Sequence, residues 1–468
     1  MQKTKSLILL AALAPWLMTG CDDSGGDSDG AGGGEAGAGG EGTGGKPDGG
    51  SGGEAGAGGE AGGGGEAGGE AGAGGEAGAG GEVPMGCTTN ADCAEDPAGP
   101  VCDVDSGECG APPAGGLIGW GDGSAESVDL TTIYTPRAET ESPDLEFHPE
   151  RDELWVLNRR PDVFGTCTQR NTFSERCQNM GSFTTIISNP GLDDQSFVIL
   201  EDGNSWHFMR QAPALAMGDA ETFATCGEAA TGNFENDSAM FIGPSLWSSD
   251  LDIYAQDPGP GLNGSHLDML HATPWCMGIA HERDNVYWLF NGHVGSIDRY
   301  DFADDHGPGY DDHSDGIVHR YVEGELSRVP RVPSHMVFNP EDGFLYIADT
   351  GNARIVRLDT MSGEAGGPFQ PVYEPLADYG YMDNAMLEEV VPAGTLEYPS
   401  GLALHEGVLY VSDNRTNTMH AFDLEGNLLR SLEINLPPQS LAGIEVGRDN
   451  KIWFTDAYAG TVYRIDPK

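Results

Sequence analysis

The sequence repeats one pattern along its C-terminal half, and this repetition constrains the fold more than any local propensity. Residues 335–359, HMVFNPEDGFLYIADTGNARIVRLD, and residues 401–424, GLALHEGVLYVSDNRTNTMHAFDL, share the same order of apolar runs and polar turns. A third copy begins at Gly443 and a fourth at Gly278. The pattern is typical of antiparallel strands joined by tight turns. Repetition of such a unit indicates a repeat architecture.

Six units share the spacing between the residue that opens the first strand and the residue that ends the second, twelve to fourteen positions later. The pairs are Asp144 and Asn158, Ala214 and Cys226, Gly278 and Asn291, His335 and Asp349, Gly401 and Asp413, and Gly443 and Asp456. Since no helical periodicity separates the units, we predict an all-β, six-bladed propeller over residues 115–468. The last unit has only three strands, so we expect the alternating segment 127–134, SVDLTTIY, to complete it and close the ring.

Two of the units carry a family resemblance. DTGNARI at 349–355 and DNRTNTM at 413–419 resemble NHL repeats, and PSGLAL at 399–404 strengthens the likeness. The clear resemblance covers residues 330–468, and the first three units match by rhythm only. It implies a propeller that serves as a binding platform. Lyases and lactonase-like enzymes share this architecture, so the fold alone does not decide the function.

The first residues predict export. Residues 1–20 contain two lysines and then an apolar stretch from Leu7 to Met18, which is typical of a secretion signal and too short for a membrane span. LMTGC at 17–21 resembles a bacterial lipobox, which implies that Cys21 is lipidated. The alternative is an ordinary signal peptide with an incidental cysteine. We expect a protein of the cell envelope or outer surface, held to a membrane by its lipid anchor.

Residues 21–86 are almost entirely Gly, Ala, Glu, Ser and Asp. Such a segment cannot bury apolar area, so we predict a disordered, self-repelling tether. It contains thirteen acidic residues and one lysine after Cys21, and therefore accounts for only part of the formal net charge of −52. The folded part is acidic as well, which excludes nucleic-acid binding through a basic patch.

The cysteine count also favours an oxidising compartment, because eight of the nine cysteines remain to pair after Cys21. We predict a small disulfide-rich segment at residues 87–110, with three possible pairings and a zinc site as the alternative, and two further disulfides in the propeller. The predicted disulfide cysteines are Cys87, Cys93, Cys102, Cys109, Cys167, Cys177, Cys226 and Cys276. Small cysteine-rich segments of this spacing resemble those that follow glycine-rich tethers in myxobacterial surface lipoproteins.

The first two strands of each blade are antiparallel, so the start of the first and the end of the second lie on one face of the ring, here called the channel face. Polar residues converge there, at the place where propellers usually bind ligands. The predicted ligand-binding residues are Asn158, Arg159, Asn291, His293, His335, Asp349 and Arg415. The alternative, for the acids that end second strands, is that they cap their own turns by accepting backbone N–H bonds.

We expect a binding module for a protein, a glycan or a small molecule, and we assign no catalytic residue. The alternative function is a metal-dependent hydrolase with its site in the channel. Lactonase-like propellers hold a divalent metal by Glu, Asn and Asp, and the resemblance implies Asn158, Asn291 and Asp349 as counterparts. No inward glutamate completes that set.

The segment 301–316, DFADDHGPGYDDHSDG, contains six aspartates and two histidines. Repulsion among so many carboxylates would be relieved by a hard cation, so we predict a calcium site there. The predicted ligands are Asp304, Asp305, Asp311, Asp312 and Asp315. The alternative is a solvated acidic loop. We expect this loop to project from the face opposite His335, so that any ion in it is structural.

Overall fold

The computed structural model describes residues 86–93, 96–103, 105–160, 180–219, 221–233, 239–310 and 312–468. The predicted signal peptide, Cys21 and nearly all of the tether lie outside the described residues. The predicted pair Cys167 and Cys177 and the predicted metal ligand Asp311 also lie outside them. The described part of the chain forms no helix long and apolar enough to cross a membrane.

The cysteine-rich segment contains a 3₁₀ turn, Asn90–Cys93, and two short paired strands, β1 (Val101–Asp103) and β2 (Glu108–Gly110). Disulfides join Cys87 to Cys102 and Cys93 to Cys109. The sequence left three pairings open, and the structure has this one. Because the thiols are paired, this segment is a disulfide-bonded unit and not a zinc site.

The propeller strands follow in chain order. They are β3 (Val128–Tyr134), β4 (Glu141–Phe147), β5 (Glu153–Arg159), β6 (Phe183–Ser188), β7 (Ser196–Leu200), β8 (Leu215–Met217), β9 (Thr222–Thr225), β10 (Ser245–Ser248), β11 (His266–Met269), β12 (Cys276–Arg283), β13 (Val286–Asn291), β14 (Ser296–Asp301), β15 (Ile317–Tyr321), β16 (Met336–Asn339), β17 (Phe344–Asp349), β18 (Arg354–Asp359), β19 (Glu364–Ala365), β20 (Asp378–Asp383), β21 (Leu387–Val391), β22 (Pro399–His405), β23 (Val408–Asp413), β24 (Thr418–Asp423), β25 (Leu428–Glu433), β26 (Leu441–Val446), β27 (Ile452–Asp456) and β28 (Val462–Pro467). Short helices lie at Gly116–Ile118, Ala125–Ser127, Ser205–Phe208 and Thr350–Asn352.

Within the described residues these strands form six sheets, which are the blades of a propeller and confirm the predicted fold. Blade 1 is β4–β7, blade 2 is β8–β11, blade 3 is β12–β15 with β20 and β19 added, blade 4 is β16, β17, β18 and β21, blade 5 is β22–β25, and blade 6 is β26, β27, β28 and β3. The core lies between neighbouring sheets. Between blades 1 and 2, for example, Trp155, Phe223 and Trp247 are all fully buried.

The ring closes as predicted. Strand β3, from the start of the propeller, pairs antiparallel with β28 at its end, with Leu130 opposite Ile465 and Val128 opposite Pro467. Residues 128–134 therefore supply the outer strand that the last repeat lacks. This pairing protects the edge of β28, which an open ring would leave free for other chains.

The glycines that open several repeats allow the inner strands of neighbouring blades to approach closely. A Cβ atom on Gly278 would lie 1.9 Å from the carbonyl oxygen of Ser334, and one on Gly401 would lie 2.1 Å from that of Ala442. No side chain fits at such distances. The repeated glycine is therefore a packing requirement of the ring.

Blade 3 is larger than the repeat pattern predicts. The chain leaves blade 4 after β18 and adds β20 to the outer edge of blade 3, parallel to β15, before returning as β21. Phe369, from the same excursion, is buried beneath the guanidinium of Arg320, 4.5 Å from its ring centre. The excursion makes a wall beside the outer strand of blade 4.

Candidate functional site

Five charged side chains occupy the channel face and bond to one another. This channel-face cluster consists of Glu141, Arg159, Glu228, Arg328 and Arg331. Arg159 Nε is 2.8 Å from Glu141 and its Nη1 is 3.2 Å from Glu228. Arg328 lies 3.3 Å from Glu228, and Arg331 pairs with Glu141. Arg159, Glu141 and Glu228 are nearly inaccessible to solvent.

The fold brings these residues together from three places. Glu141 begins β4 and Arg159 ends β5, which are paired directly opposite each other in blade 1. Glu228 follows Cys226, whose disulfide to Cys276 joins blade 2 to the start of blade 3. The two remaining arginines lie in the connection from blade 3 to blade 4, where the backbone N–H of Arg331 donates to Glu228. The cluster thus joins blades 1 and 2 to the connection between blades 3 and 4.

His335 and Asp144 lie next to this cluster, on opposite sides of the ring. His335 Nδ1 is 3.5 Å from Asp144 Oδ1, and its Nε2 is 3.4 Å from the carbonyl oxygen of Pro213 in the segment before blade 2. Burial lowers the pKa of His335 to about 4, so its imidazole is neutral near pH 7. His335 therefore bridges the channel as a neutral hydrogen-bonding group.

Further along the channel, carboxylates from adjacent blades 1 and 6 lie near one another. Burial raises the pKa of Glu146 well above its usual range, and the nearby charges of Asp144 and Glu445 add to this effect. Burial, with a contribution from Asp144, raises the pKa of Glu445 to about 7. The amide N–H of Met217 donates to Glu146, 2.6 Å away. At neutral pH this part of the channel is therefore partly protonated.

Each member of the predicted lactonase-like set forms hydrogen bonds with groups around it. Asn158 donates to Val156 and Thr185 and accepts from Ser142. The other two residues are likewise buried and bonded. Asn291 donates to Ala272 and Asp298 and accepts from the N–H groups of its own turn, and Asp349 accepts from Ser327, Asn352 and Arg354.

The two remaining predicted residues of the channel face lie at the surface. His293 is exposed in the turn between β13 and β14. Arg415 is half-exposed and lies over the ring of Tyr398, 5.8 Å from its centre. Asp413 and Asp456 accept backbone N–H bonds from the two turns that follow them, which is the capping role expected of strand-ending acids. The part of any of these residues in ligand binding stays a prediction.

A solvent-accessible cleft of about 510 Å³ lies between the outer edges of blades 3 and 4. We call it the blade 3–4 cleft. Its charged lining consists of Arg320, Glu323, Glu325, Arg354, Asp383, Glu388 and Glu389. Both guanidiniums are paired with fully buried aspartates, Arg320 with Asp298 and Arg354 with Asp349, each at 2.8 Å. The carboxylates are exposed, so the open surface of the cleft is acidic.

The acidic loop 301–316 leaves blade 3 at the end of β14 opposite the channel face and packs on β11 of blade 2. Two backbone bonds fix it: Gly309 N–H donates to His266 O, and Asn263 N–H donates to Gly309 O. Three predicted calcium ligands, Asp304, Asp305 and Asp312, are exposed to solvent. The carboxylate oxygens of the latter two accept N–H bonds within the loop itself.

The fourth described ligand, Asp315, belongs to a different set. One ligating atom each from Asp268, His306 and Asp315 lies within 4.8 Å of the other two. His306 Nε2 is 3.0 Å from Asp315, and His313 Nδ1 is 2.8 Å from Asp268. Asp268 lies in β11, which the sequence reasoning did not consider. The spacing HLDMLH at 266–271, with two histidines around an aspartate, is the signal that could have pointed to it.

The residues of the channel-face cluster were also missed, apart from Arg159. Glu228, Arg328 and Arg331 lie in segments that join strands, and Glu141 is the first residue of β4, three positions before the repeat unit that begins at Asp144. Their meeting depends on how the ring closes. A sequence signal for this cluster is therefore lacking.

No family model matches this sequence, and no curated protein is similar to it. Several solved structures are similar to it over most of its length. An auxiliary nutrient binding protein from Bacteroides ovatus is 12% identical, with a TM-score of 0.42 over 73% of this chain and 76% of that chain. A gluconolactonase from Xanthomonas campestris is 12% identical, with a TM-score of 0.42 over 76% and 93%. A virginiamycin B lyase from Staphylococcus aureus is 12% identical, with a TM-score of 0.39 over 73% and 100%. Likenesses this remote say nothing of what this chain binds or catalyses.

Proposed function

We propose that this protein is an exported, lipid-anchored binding module that holds a rigid propeller away from a membrane on an acidic tether. Export is supported by the three disulfides of the described residues, since such bonds persist in oxidising compartments. The anchor is supported by the lipobox-like sequence that ends at Cys21. Rigidity is supported by the closed ring and by the ion pairs that join blades 1 and 2 to the connection between blades 3 and 4.

The observation that carries the binding function is the blade 3–4 cleft. Its volume of about 510 Å³ is that of an ordinary ligand site. The excursion that contains β19 and β20 forms one wall, and additions to a regular scaffold commonly carry function. The cleft therefore presents a feature that the repeat alone does not explain.

The charge of the cleft indicates the class of ligand. Five carboxylates and two guanidiniums line it, and both guanidiniums are already neutralised by buried aspartates. An anionic ligand would meet repulsion from the exposed acids. A ligand with ammonium or guanidinium groups would gain charge-assisted hydrogen bonds there, and the net charge of −52 would speed its approach. A basic peptide segment of a partner protein fits these requirements.

The alternative of a channel hydrolase receives less support. Its three expected metal ligands, Asn158, Asn291 and Asp349, are each engaged by other groups. The channel face also carries the paired charges of Glu141, Arg159 and Glu228. Opening that face would require the buried carboxylates Glu141 and Glu228 to lose their partners, which is costly in free energy.

Binding of a lysine-rich octapeptide tests the proposal. The chain beginning at Cys87 is used, so that the acids of the tether do not contribute. We expect Glu325→Gln, Asp383→Asn and Glu389→Gln together to weaken binding about tenfold or more, as the loss of three charge-assisted contacts implies. The matched control is Asp193→Asn, Glu341→Gln and Glu425→Gln, which removes the same charge from exposed positions elsewhere. Equal weakening in both variants would mean non-specific attraction, and the cleft proposal would fail.

The anchor has a separate test. In a host that processes lipoproteins, the full chain should incorporate labelled palmitate and fractionate with membranes. Cys21→Ser should abolish both. If the variant keeps its label and its membrane association, the proposed anchor is wrong, whatever the cleft binds.

A further inference from the structure

Asp268 is a buried carboxylate, and one of its two oxygens lacks a hydrogen-bond partner among the described residues. It lies in the outer strand of blade 2, and its side chain is 1% exposed. Its Oδ1 accepts bonds from the N–H of Met269 at 2.6 Å and from His313 Nδ1 at 2.8 Å. Its Oδ2 is buried and has no hydrogen-bond partner among the described residues. A buried carboxylate oxygen without a partner is costly, so its position calls for a ligand.

Three ligating side chains meet at this carboxylate. Asp268, His306 and Asp315 each place one ligand atom within 4.8 Å of the others. His306 Nε2 and Asp315 Oδ1 are already 3.0 Å apart. Ligand atoms that share one zinc ion at about 2.0–2.2 Å stand roughly 3–4 Å from each other. Only a small closing movement would bring the three to one ion.

A second unsatisfied group lies beside the set. His271 Nδ1 is 2.9 Å from Glu374, and its Nε2 is buried without a partner among the described residues. Its ring centre is 5.7 Å from that of His313. A carboxylate that fixes one imidazole nitrogen and leaves the other bare is the arrangement found around metal-binding histidines. Asp268 Oδ2 and His271 Nε2, both buried and without hydrogen-bond partners among the described residues, thus belong to side chains that contact His313 of the same loop.

We propose that Asp268, His306 and Asp315 bind a zinc-class divalent ion, which clamps the loop 301–316 onto the outer strand of blade 2. Three protein ligands leave one position of a tetrahedral ion for a water molecule. His313 is a positioning residue, because its bond to Oδ1 orients the Asp268 carboxylate. The ion joins a residue of blade 2 to two residues of a loop that belongs to blade 3.

The donor set favours zinc over the calcium predicted from the loop sequence. Calcium takes six to eight oxygen ligands, whereas this set contains an imidazole nitrogen and two carboxylates. Imidazole suits zinc and its neighbours among the transition metals. The loop acids Asp304, Asp305 and Asp312 lie outside the set. On this proposal, the ion binds at the loop that the sequence indicates for a metal, but it is zinc and not calcium.

Zinc itself is the probe. The oxidised full-length protein is dialysed against micromolar zinc and then against buffer, and its zinc content is measured. We expect one ion per chain, an X-ray absorption spectrum with nitrogen and oxygen but no sulfur ligands, and slower hydrogen exchange over residues 303–316. The double variant His306→Gln and Asp315→Asn should bind zinc at least about tenfold more weakly and lose the slowed exchange. Millimolar calcium should reproduce neither effect.

The control variant changes the same two types of residue at positions outside the proposed ligand set. His319→Gln with Asp305→Asn removes one histidine and one aspartate near the loop, and it should bind zinc as the parent does. If the double variant fails to fold, His306→Gln alone replaces it in the test. The His306 side chain is 22% exposed, so we expect its replacement to leave the fold intact. The proposal is overturned if the parent retains no zinc, if the control loses as much as the variant, or if calcium alone slows exchange of the loop.

Discussion

Arg159 is the residue on which the channel-face cluster depends, because it joins two buried carboxylates. Replacing it with alanine would leave Glu141 and Glu228 with fewer partners in surroundings that water scarcely reaches. Removing one member of a buried ion pair typically costs about 3–5 kcal/mol. We therefore expect Arg159→Ala to lower the free energy of unfolding, measured in denaturant, by about that amount.

The adjacent Arg160 is the matched control. It pairs with Glu201 at 2.6 Å, but both side chains are about one-third exposed. Exposed pairs contribute about 0–1 kcal/mol, so Arg160→Ala should have little effect. Equal losses in the two variants would contradict the structural role assigned to the cluster.

Glu445 gives the channel a pH dependence. Burial raises its pKa from an ordinary 4.5 to about 7, so the folded protein holds this proton more tightly than the unfolded chain. Its contribution to stability is then present below about pH 4.5 and is lost as the pH rises to 7. Glu445→Gln should be more stable than the parent at pH 8 by about 1–3 kcal/mol, with the difference vanishing near pH 4.5.

Thermal melting of both proteins from pH 4.5 to 8 measures this difference. Glu433→Gln, at an exposed position of β25, serves as the control and should track the parent at every pH. A constant difference between Glu445→Gln and the parent across the range would show that the carboxyl group does not titrate there.

At the scale of residues, the sequence predicted some partners and not others. Asp413 and Asp456 cap turns that the local sequence encodes, and such bonds span only a few residues. The sequence predicts Arg159 as a polar residue of the channel face, but its partner Glu228 lies 69 residues away along the chain. Asp268 and Asp315 meet across two blades. Contacts of this kind depend on the tertiary fold, which the repeat rhythm does not specify residue by residue.

At the scale of elements, the strand that closes the ring is the most consequential. Strand β3 supplies the outer edge of blade 6 and pairs with six residues of β28. A chain that begins at Asp144 lacks it and exposes both the edge of β28 and the buried Val462 and Ile465. We expect that chain to aggregate or to lose cooperative thermal melting, since an unpaired apolar edge invites association.

A chain that begins at Gly115 retains β3 and should melt like the full protein. Size-exclusion chromatography and thermal melting compare the two. Equal stability of both chains would refute the closure of the ring by β3.

The elements were predicted unevenly, for a physical reason. Alternation and turn residues identify strands such as β23 and its neighbours, and the missing fourth strand of the last unit identified β3. The six-stranded form of blade 3 was missed, because β19 and β20 interrupt blade 4 in the sequence and join another sheet. Local patterns indicate that a strand exists, but they do not indicate which blade it joins.

At the scale of the whole molecule, the propeller is a closed ring with paired, buried charges on its channel face and an acidic cleft at its rim. The two regions differ in their charges: the channel face carries paired, buried charges, whereas the cleft carries exposed carboxylates. Binding at the rim leaves the ring intact, whereas binding in the channel would require the cluster to open. A ligand should therefore leave the channel face undisturbed.

Hydrogen exchange of the full chain with and without the lysine-rich octapeptide tests this claim most directly, because it locates the contact without assuming it. We expect slower exchange over residues 320–325 and 378–389, which include the lining of the blade 3–4 cleft, and no change over residues 141–147 and 328–337 of the channel face. Protection of the channel-face segments, with the cleft unchanged, would contradict it.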